Sequence, residues 1–182
     1  MKYTAIAFFF FVLHSSGYSQ PESIIYNTVI CEYVLKEHNK GSNSSSTTLL
    51  VLESPKYMKQ PRSVDFDHFI KEYKKLEKET FNNFLVKNVT NINLKNEDFS
   101  RENMVTISHN QSTHRKDLLV KYPNWNTWIL EFSKVGFNQD MNQALLYYGF
   151  DGGPGIGGGI YIILKKKRNK WKIVETVPAW AS

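Results

Sequence analysis

QALLYYGFDGGPGIGGGIYIILKKKRNKWKIVETV, residues 143–177, decides how this chain folds. Three runs, QALLYYGF, GIYIILKKK and WKIVETV, are rich in aliphatic, β-branched and aromatic residues and lack proline, a composition that suits strands. A glycine segment separates the first two, and the four residues KRNK turn the chain between the second and third. Strands joined by such short connections run antiparallel, because a parallel return needs a crossover of about a dozen residues or more. The sequence therefore predicts a β-meander.

Working outward, WNTWILEFSKVGF (Trp125 to Phe137) reads as a preceding strand-like segment and NQDMN as the turn that follows it. A meander needs a covered face. Between Val64 and Val86 the residues Phe66, Phe69, Ile70, Tyr73, Leu76, Phe81, Phe84 and Leu85 recur near the i, i+3, i+4, i+7 spacing, while Lys71, Glu72, Lys74, Lys75, Lys78 and Glu79 take the other side. This predicts one amphipathic helix over residues 64–86, with Ser63 or Asp65 able to cap it. Nearer the N-terminus, Ser23 to His38 predicts a first helix, Asn39 to Thr47 a polar loop and TLLVLE a short buried strand. Asn88 to Asp117 is polar, with one or two strands such as MVTI and long connections. The sum is an α+β domain, its N-terminal helices packed on one face of a C-terminal antiparallel β-meander. Cone-like folds of the cystatin or NTF2 type share that plan, an analogy of architecture that carries no function.

The N-terminus carries Lys2, an apolar run from Ala5 to Leu13 (AIAFFFFVL) and then HSSGYSQ. The run is too short to cross a bilayer and has the length of a signal-peptide core. Gly17 and Ser19 fit the small-residue positions that a signal peptidase reads, so cleavage is expected after Ser19, and residues 1–19 read as a signal peptide. The chain is then exported, to a periplasm or to the outside. Cys31 lies too far beyond the run to be an acylated cysteine; standing alone it excludes an internal disulfide framework and reads as a small buried apolar residue. Losing residues 1–19 removes one charge, Lys2, and leaves 22 Lys and Arg against 17 Asp and Glu, a net of +5. The remaining residues 20–182 suit a single domain. No second apolar run approaches a membrane span.

Gly153, Gly155 and Gly158 satisfy G-x-G-x-x-G, the spacing that lets backbone amides approach a pyrophosphate. That fingerprint works only where a helix starts directly after it, because the helix N-terminus holds the charge. Here Ile160 to Leu164 reads as a strand. A kinase-type loop would need a lysine strand, a catalytic loop and a metal-binding aspartate downstream, and a P-loop would need Gly-Lys-Ser or Gly-Lys-Thr. The glycines instead predict a wide hairpin connection in which some take positive φ and Pro154 stiffens one corner. Lys165, Lys166, Lys167, Arg168, Lys170 and Lys172 form the sharpest charge cluster; around a hairpin tip they project partly to one side and could hold an anion. The same charges also suit a turn that keeps a strand edge from pairing with other chains.

His38 and His68 are isolated, and His109 and His114 are five apart, too weakly related to predict a metal site. There is no H-E-x-x-H, no G-x-S-x-G and no cysteine pair, so no catalytic, cofactor or metal residue is assigned. Tyr122, Trp125, Trp128, Tyr147, Tyr148, Tyr161, Trp171 and Trp180 make the second half aromatic, which on strands mostly serves core and cross-strand packing.

The segment from Phe132 to Ser182, FSKVGFNQDMNQALLYYGFDGGPGIGGGIYIILKKKRNKWKIVETVPAWAS, resembles the C-terminal block of a widespread group of uncharacterised exported or lipid-anchored bacterial proteins. In that group S-x-V-G-F-N-x-D-x-x-Q-A-L-x-Y leads to a glycine loop and then to a strand pair ending in K-W-K-I. The group's loop often carries two cysteines, which implies a small disulfide staple; this chain has none from Asp151 to Gly159. The resemblance supplies no activity and adds weight to export and to the meander. The leading expectation is a non-enzymatic binding or accessory module of a bacterial envelope, without nucleic acid, meeting an anionic polymer or a protein. The competing one is a small hydrolase or isomerase with a pocket between helix and sheet.

Overall fold

The computed structural model describes residues 21–38, 48–54, 69, 73, 75–89, 93–99, 103–123 and 125–182. The expected leader, the loop 39–47 and the opening of the expected long helix, 64–68, lie outside them.

Among the described residues a seven-stranded sheet organises the chain. Its strands are β1 (Thr48–Leu52), β2 (Met104–Ile107), β3 (Trp125–Phe132), β4 (Gly136–Phe137), β5 (Gln143–Gly153), β6 (Ile156–Lys167) and β7 (Lys170–Ala181). They lie in the order β2-β1-β3-β5-β6-β7, with β4 also on β5. The meander is as expected: β3 and β5, β5 and β6, and β6 and β7 pair antiparallel. The other half differs, because β1 runs parallel to both β2 and β3. Parallel neighbours require crossovers, and the chain between β1 and β3 supplies them with α2 (Lys78–Asn88), α3 (His109–Ser112) and α4 (Arg115–Lys121).

The α+β class holds, but the helices cover both faces of the sheet rather than one. Residues 143–149 of β5 are buried without a break, which an alternating half-exposed strand could not be. On one face α1 (Pro21–Val29) brings Ile25, Tyr26 and Val29 onto Ala144, Leu146, Tyr148, Ile162 and Leu164. On the other, Phe81 and Phe84 of α2 meet Leu145, Tyr147, Tyr161 and Ile163, while Leu118 of α4 joins Leu50, Leu52, Ile107 and Ile129. The neighbouring residues of β5 thus serve opposite layers, as the period of two requires. This two-sided cover departs from the single-sided cone.

The first helix forms where the sequence places it. It continues from α1 through a π-helical turn, Ile30–Val34, into a last turn, Leu35–His38. The wider turn accommodates one more residue than an α-helical turn. Accordingly burial runs through Ile25, Tyr26, Val29 and Ile30 and resumes at Val34. Cys31 sits on the outside of that turn and is exposed, correcting its expected burial.

The helix expected over residues 64–86 is broken. Phe69 is helical and its carbonyl accepts the Tyr73 N–H at 2.8 Å, but Glu77 is extended (φ −80°, ψ 137°) and α2 starts only at Lys78. Phe69, Leu76, Phe81 and Phe84 nonetheless share one core. Apolar spacing reports which side faces the sheet, and an interrupted helix can satisfy it as well as a continuous one. Gln143, fully buried at the start of β5, holds the interruption. Its side-chain carbonyl accepts the Glu77 N–H at 2.7 Å and its amide donates to the Lys75 carbonyl at 2.7 Å. A single side chain thereby replaces the helical partners at the interruption.

Between β3 and β4 the ladder is also completed by a side chain. Ser133, fully buried, accepts the Tyr147 N–H on its hydroxyl at 2.8 Å, while its carbonyl accepts the Tyr26 hydroxyl at 2.9 Å from the α1 side. The segment after it is bound to α2 by Asn88, which exchanges hydrogen bonds with the Lys134 backbone, and by Asn83, which accepts the Phe137 N–H at 2.9 Å.

Candidate functional site

The meander places its two hairpin turns at opposite ends of the sheet, and each end carries a candidate site.

At the first end β6 and β7 meet through Arg168 and Asn169, both left-handed, with φ of 50° and 61°. This is the geometry of a two-residue hairpin whose twist matches the strands, and its ordinary occupants are glycine and asparagine. Lys165 opposes Lys172, Lys166 opposes Trp171, and Lys167 opposes Lys170. Opposed residues share a face, so Lys165, Lys167, Lys170 and Lys172 all project on the α2 side of the sheet. Lys166 goes to the α1 side, its ammonium 6.0 Å from the Trp171 ring centre. Along each strand the lysines are separated by about 6.6–6.8 Å, and across the pair by about 5 Å. Glu77 comes within 3.8 Å of the Lys165 ammonium; among the described residues no carboxylate pairs with Lys167, Arg168, Lys170 or Lys172. The sequence-predicted cluster therefore divides: four lysines together on one face, Lys166 on the other and Arg168 at the tip.

The base of this end is a polar knot that the sequence reading missed. Asn138 accepts the N–H groups of Asn142 and Gln143 at 2.9 Å and donates to Glu77 at 2.8 Å. With Gln143 it fixes the 138–142 turn against the start of α2. The residue types are those of an ordinary turn, so nothing in the one-dimensional pattern sets them apart. Beside the knot, a cleft of about 440 Å³ opens at the head of α1, with Glu22, Glu79, Asn83 and Lys87 in its walls. Lys87 is already engaged: it donates to Glu22 at 2.7 Å and to the Val135 carbonyl at 3.0 Å, and lies 5.2 Å from the Phe137 ring centre.

At the second end the glycine segment is not a wide connection. Strand pairing persists to Gly153 and Ile156, leaving a tight turn through Pro154 and Gly155. Gly153 and Gly155 alone among the described glycines have left-handed φ, 115° and 72°; with proline followed by a left-handed glycine, the turn has the type II pattern. Gly157, Gly158 and Gly159 are ordinary strand residues. β6 follows directly and no helix starts there, so the Gly153, Gly155, Gly158 spacing does not make a phosphate-binding fingerprint. Against this turn lies a cleft of about 550 Å³ bounded by α3, the Arg115–Asp151 ion pair and Trp180.

Beneath it, Trp180 donates from Nε1 to the Tyr147 hydroxyl at 2.8 Å. Gly149 leaves room for that phenol, since a Cβ there would stand 2.8 Å from its oxygen. Burial pushes the Tyr147 phenol well above its ordinary range, the Trp180 hydrogen bond pulls it down, and Glu131 and Tyr161 push it up again. A raised phenol favours the neutral form in the fold, so its stabilising contribution is complete below the unfolded value of about 10 and is lost as pH climbs beyond it. The melting temperature should therefore fall through the alkaline range more steeply in the natural protein than in Tyr147→Phe; parallel curves would show that this phenol carries no such contribution.

His114 bonds locally, its Nδ1 2.8 Å from the Asn110 carbonyl and 3.0 Å from the Thr113 hydroxyl. Among the described residues no three His, Cys, Asp or Glu side chains are grouped to hold a metal, and no helix is long and apolar enough to cross a membrane. Comparison with family models, with curated proteins and with solved structures gave no match.

Proposed function

We propose that this is an exported, non-enzymatic binding or accessory module of a bacterial envelope, and that the lysine face of the β6–β7 hairpin takes an anionic polymer. The observation that carries this reading is the pairing of like charges. Lys165 opposite Lys172 and Lys167 opposite Lys170 repel across the strands, and Arg168 occupies a left-handed position that favours smaller residues. Both features cost stability without serving the core. Edge protection accounts for Lys170 and Lys172 on β7, an outer strand, and Glu77 lies 3.8 Å from Lys165, but neither accounts for Lys167 on β6, with which no carboxylate pairs among the described residues. A closely spaced polyanion would relieve the repulsion on binding. The leader-like N-terminus and the resemblance of the C-terminal block support export.

The test is retention on an immobilised sulfated polysaccharide compared with an uncharged one. Binding should be selective for the sulfated matrix, weaken steeply with salt, and fall at least tenfold in the combined variant Lys167→Glu, Lys170→Glu, Lys172→Glu. Retention unaffected by salt, or equal in the variant, would sink the reading.

A further inference from the structure

We infer that the cleft at the glycine end is a second, independent site, built for an uncharged hydroxylated ring, that is, a saccharide unit. β6 runs from Ile156 to Lys167, so this cleft lies about 36 Å from the lysine end at roughly 3.3 Å per residue. Nothing bound by the lysines would by itself fill it. Its volume of about 550 Å³ suits a small ligand.

Three features define the ligand's chemistry. The first is an aromatic wall held in place. Trp180 has its indole N–H tied inward to Tyr147, and the far edge of its six-membered ring reaches the main chain at Gly157, where a Cβ would stand 3.2 Å from Cη2. The polar part of the indole is thus occupied, while its apolar part packs partly on the core that holds Tyr147 and Tyr161 and also lines the cleft. Such a surface suits the C–H face of a sugar ring.

The second feature is a fixed donor and acceptor pair. Arg115 donates from Nη2 to Asp151 Oδ1 at 2.8 Å and to the Asp151 carbonyl at 2.9 Å, and the Gly153 N–H donates to the same Oδ1 at 2.8 Å. Both side chains are about 30 % exposed, at 27 % and 31 %. Among the described residues Asp151 Oδ2 receives no hydrogen bond, which leaves an oriented carboxylate oxygen for a hydroxyl donor. The third is charge balance. Of the side chains that line the cleft only Arg115 and Asp151 are charged, and one guanidinium beside one carboxylate favours neither an anion nor a cation, in contrast to the lysine face. The Thr113 hydroxyl, which donates to the Asn110 carbonyl at 2.8 Å and lies 3.0 Å from His114 Nδ1, keeps a second lone pair for a ligand. Stacking surface, carboxylate acceptor and hydroxyl together describe a neutral polyol ring.

The test uses ¹⁵N-labelled protein, with the Trp180 indole resonance assigned from the spectrum of Trp180→Phe. Titration to millimolar concentration with maltotriose and with tri-N-acetylchitotriose should move the Trp180 indole and the Gly155 and Gly157 amides in a saturable, salt-independent manner for at least one of them. Affinity should drop at least tenfold in Asp151→Asn and severalfold in Thr113→Val, which preserves shape at an exposed position and keeps the comparison open if the first variant loses its fold. No saturable shift with either sugar, equal affinity in Thr113→Val, or the same shifts evoked by sodium sulfate would overturn the inference. The lysine variants should leave this titration unchanged, so the two sites succeed or fail separately.

Discussion

Gly136→Ala should lower the melting temperature sharply. A Cβ at this position would stand 2.5 Å from the N, Cα and Cβ atoms of Phe84, so the obstacle is the main chain of α2 and cannot rotate away. Relief requires α2 to retreat from β4, and the Asn83 and Asn88 hydrogen bonds to residues 134–137 resist that movement. Overpacking of this kind costs about 3 kcal/mol, which for a chain of this size corresponds to roughly 6–12 °C. The sign makes the experiment decisive. Gly136 is not left-handed, and without the close approach an alanine there would stabilise by about 0.4–1 kcal/mol through the unfolded state. A variant melting at or above the natural protein would refute the α2–β4 contact.

Gln143→Leu should produce the second large loss. Leucine has a suitable volume for the buried site, but it leaves the Glu77 N–H and the Lys75 carbonyl without their partner. Each orphaned backbone group costs about 1–3 kcal/mol where water cannot replace the bond. The damage should be local before it is global, because the interruption ahead of α2 is what the side chain holds. Amide exchange at Glu77 should accelerate far more than exchange in β6, and Gln143→Glu, which retains an acceptor for Glu77 but not the donor to Lys75, should fall between. Uniform acceleration across the sheet would mean that Gln143 only fills space.

These two residues also mark where the sequence could and could not be read. The meander was legible because alternating short runs and tight turns leave few topologies. The lysine face was legible for the same reason, once KRNK was taken as a turn. The second buried face was not, because β5 reads simply as an apolar run, and such a run fits one-sided and two-sided cover alike. The parallel half of the sheet was hidden by β1 and β2, strands of five and four residues, too short to declare their neighbours. The break at Glu77 depends on a glutamine 66 residues away, and no local periodicity contains that distance. The cleft at the glycine end brings together Arg115, Asp151 and Trp180 from three separate segments, and only the folded sheet makes them adjacent.

The position of β1 has a bearing on assembly. It lies inside the sheet between β2 and β3, both of which follow it by long stretches of chain. A polypeptide emerges N-terminus first, so β1 must wait, with both hydrogen-bonding edges open, until its partners have been made. The β5–β6–β7 hairpins need only adjacent residues and close early, whereas each pairing of β1 must first overcome the entropy of a long loop. The first strand of the sheet thus waits through its longest connections for both partners. During that delay its sequence, TLLVL, leaves four residues destined for burial without their cover, so an apolar segment of the finished sheet's middle stays open while the chain grows.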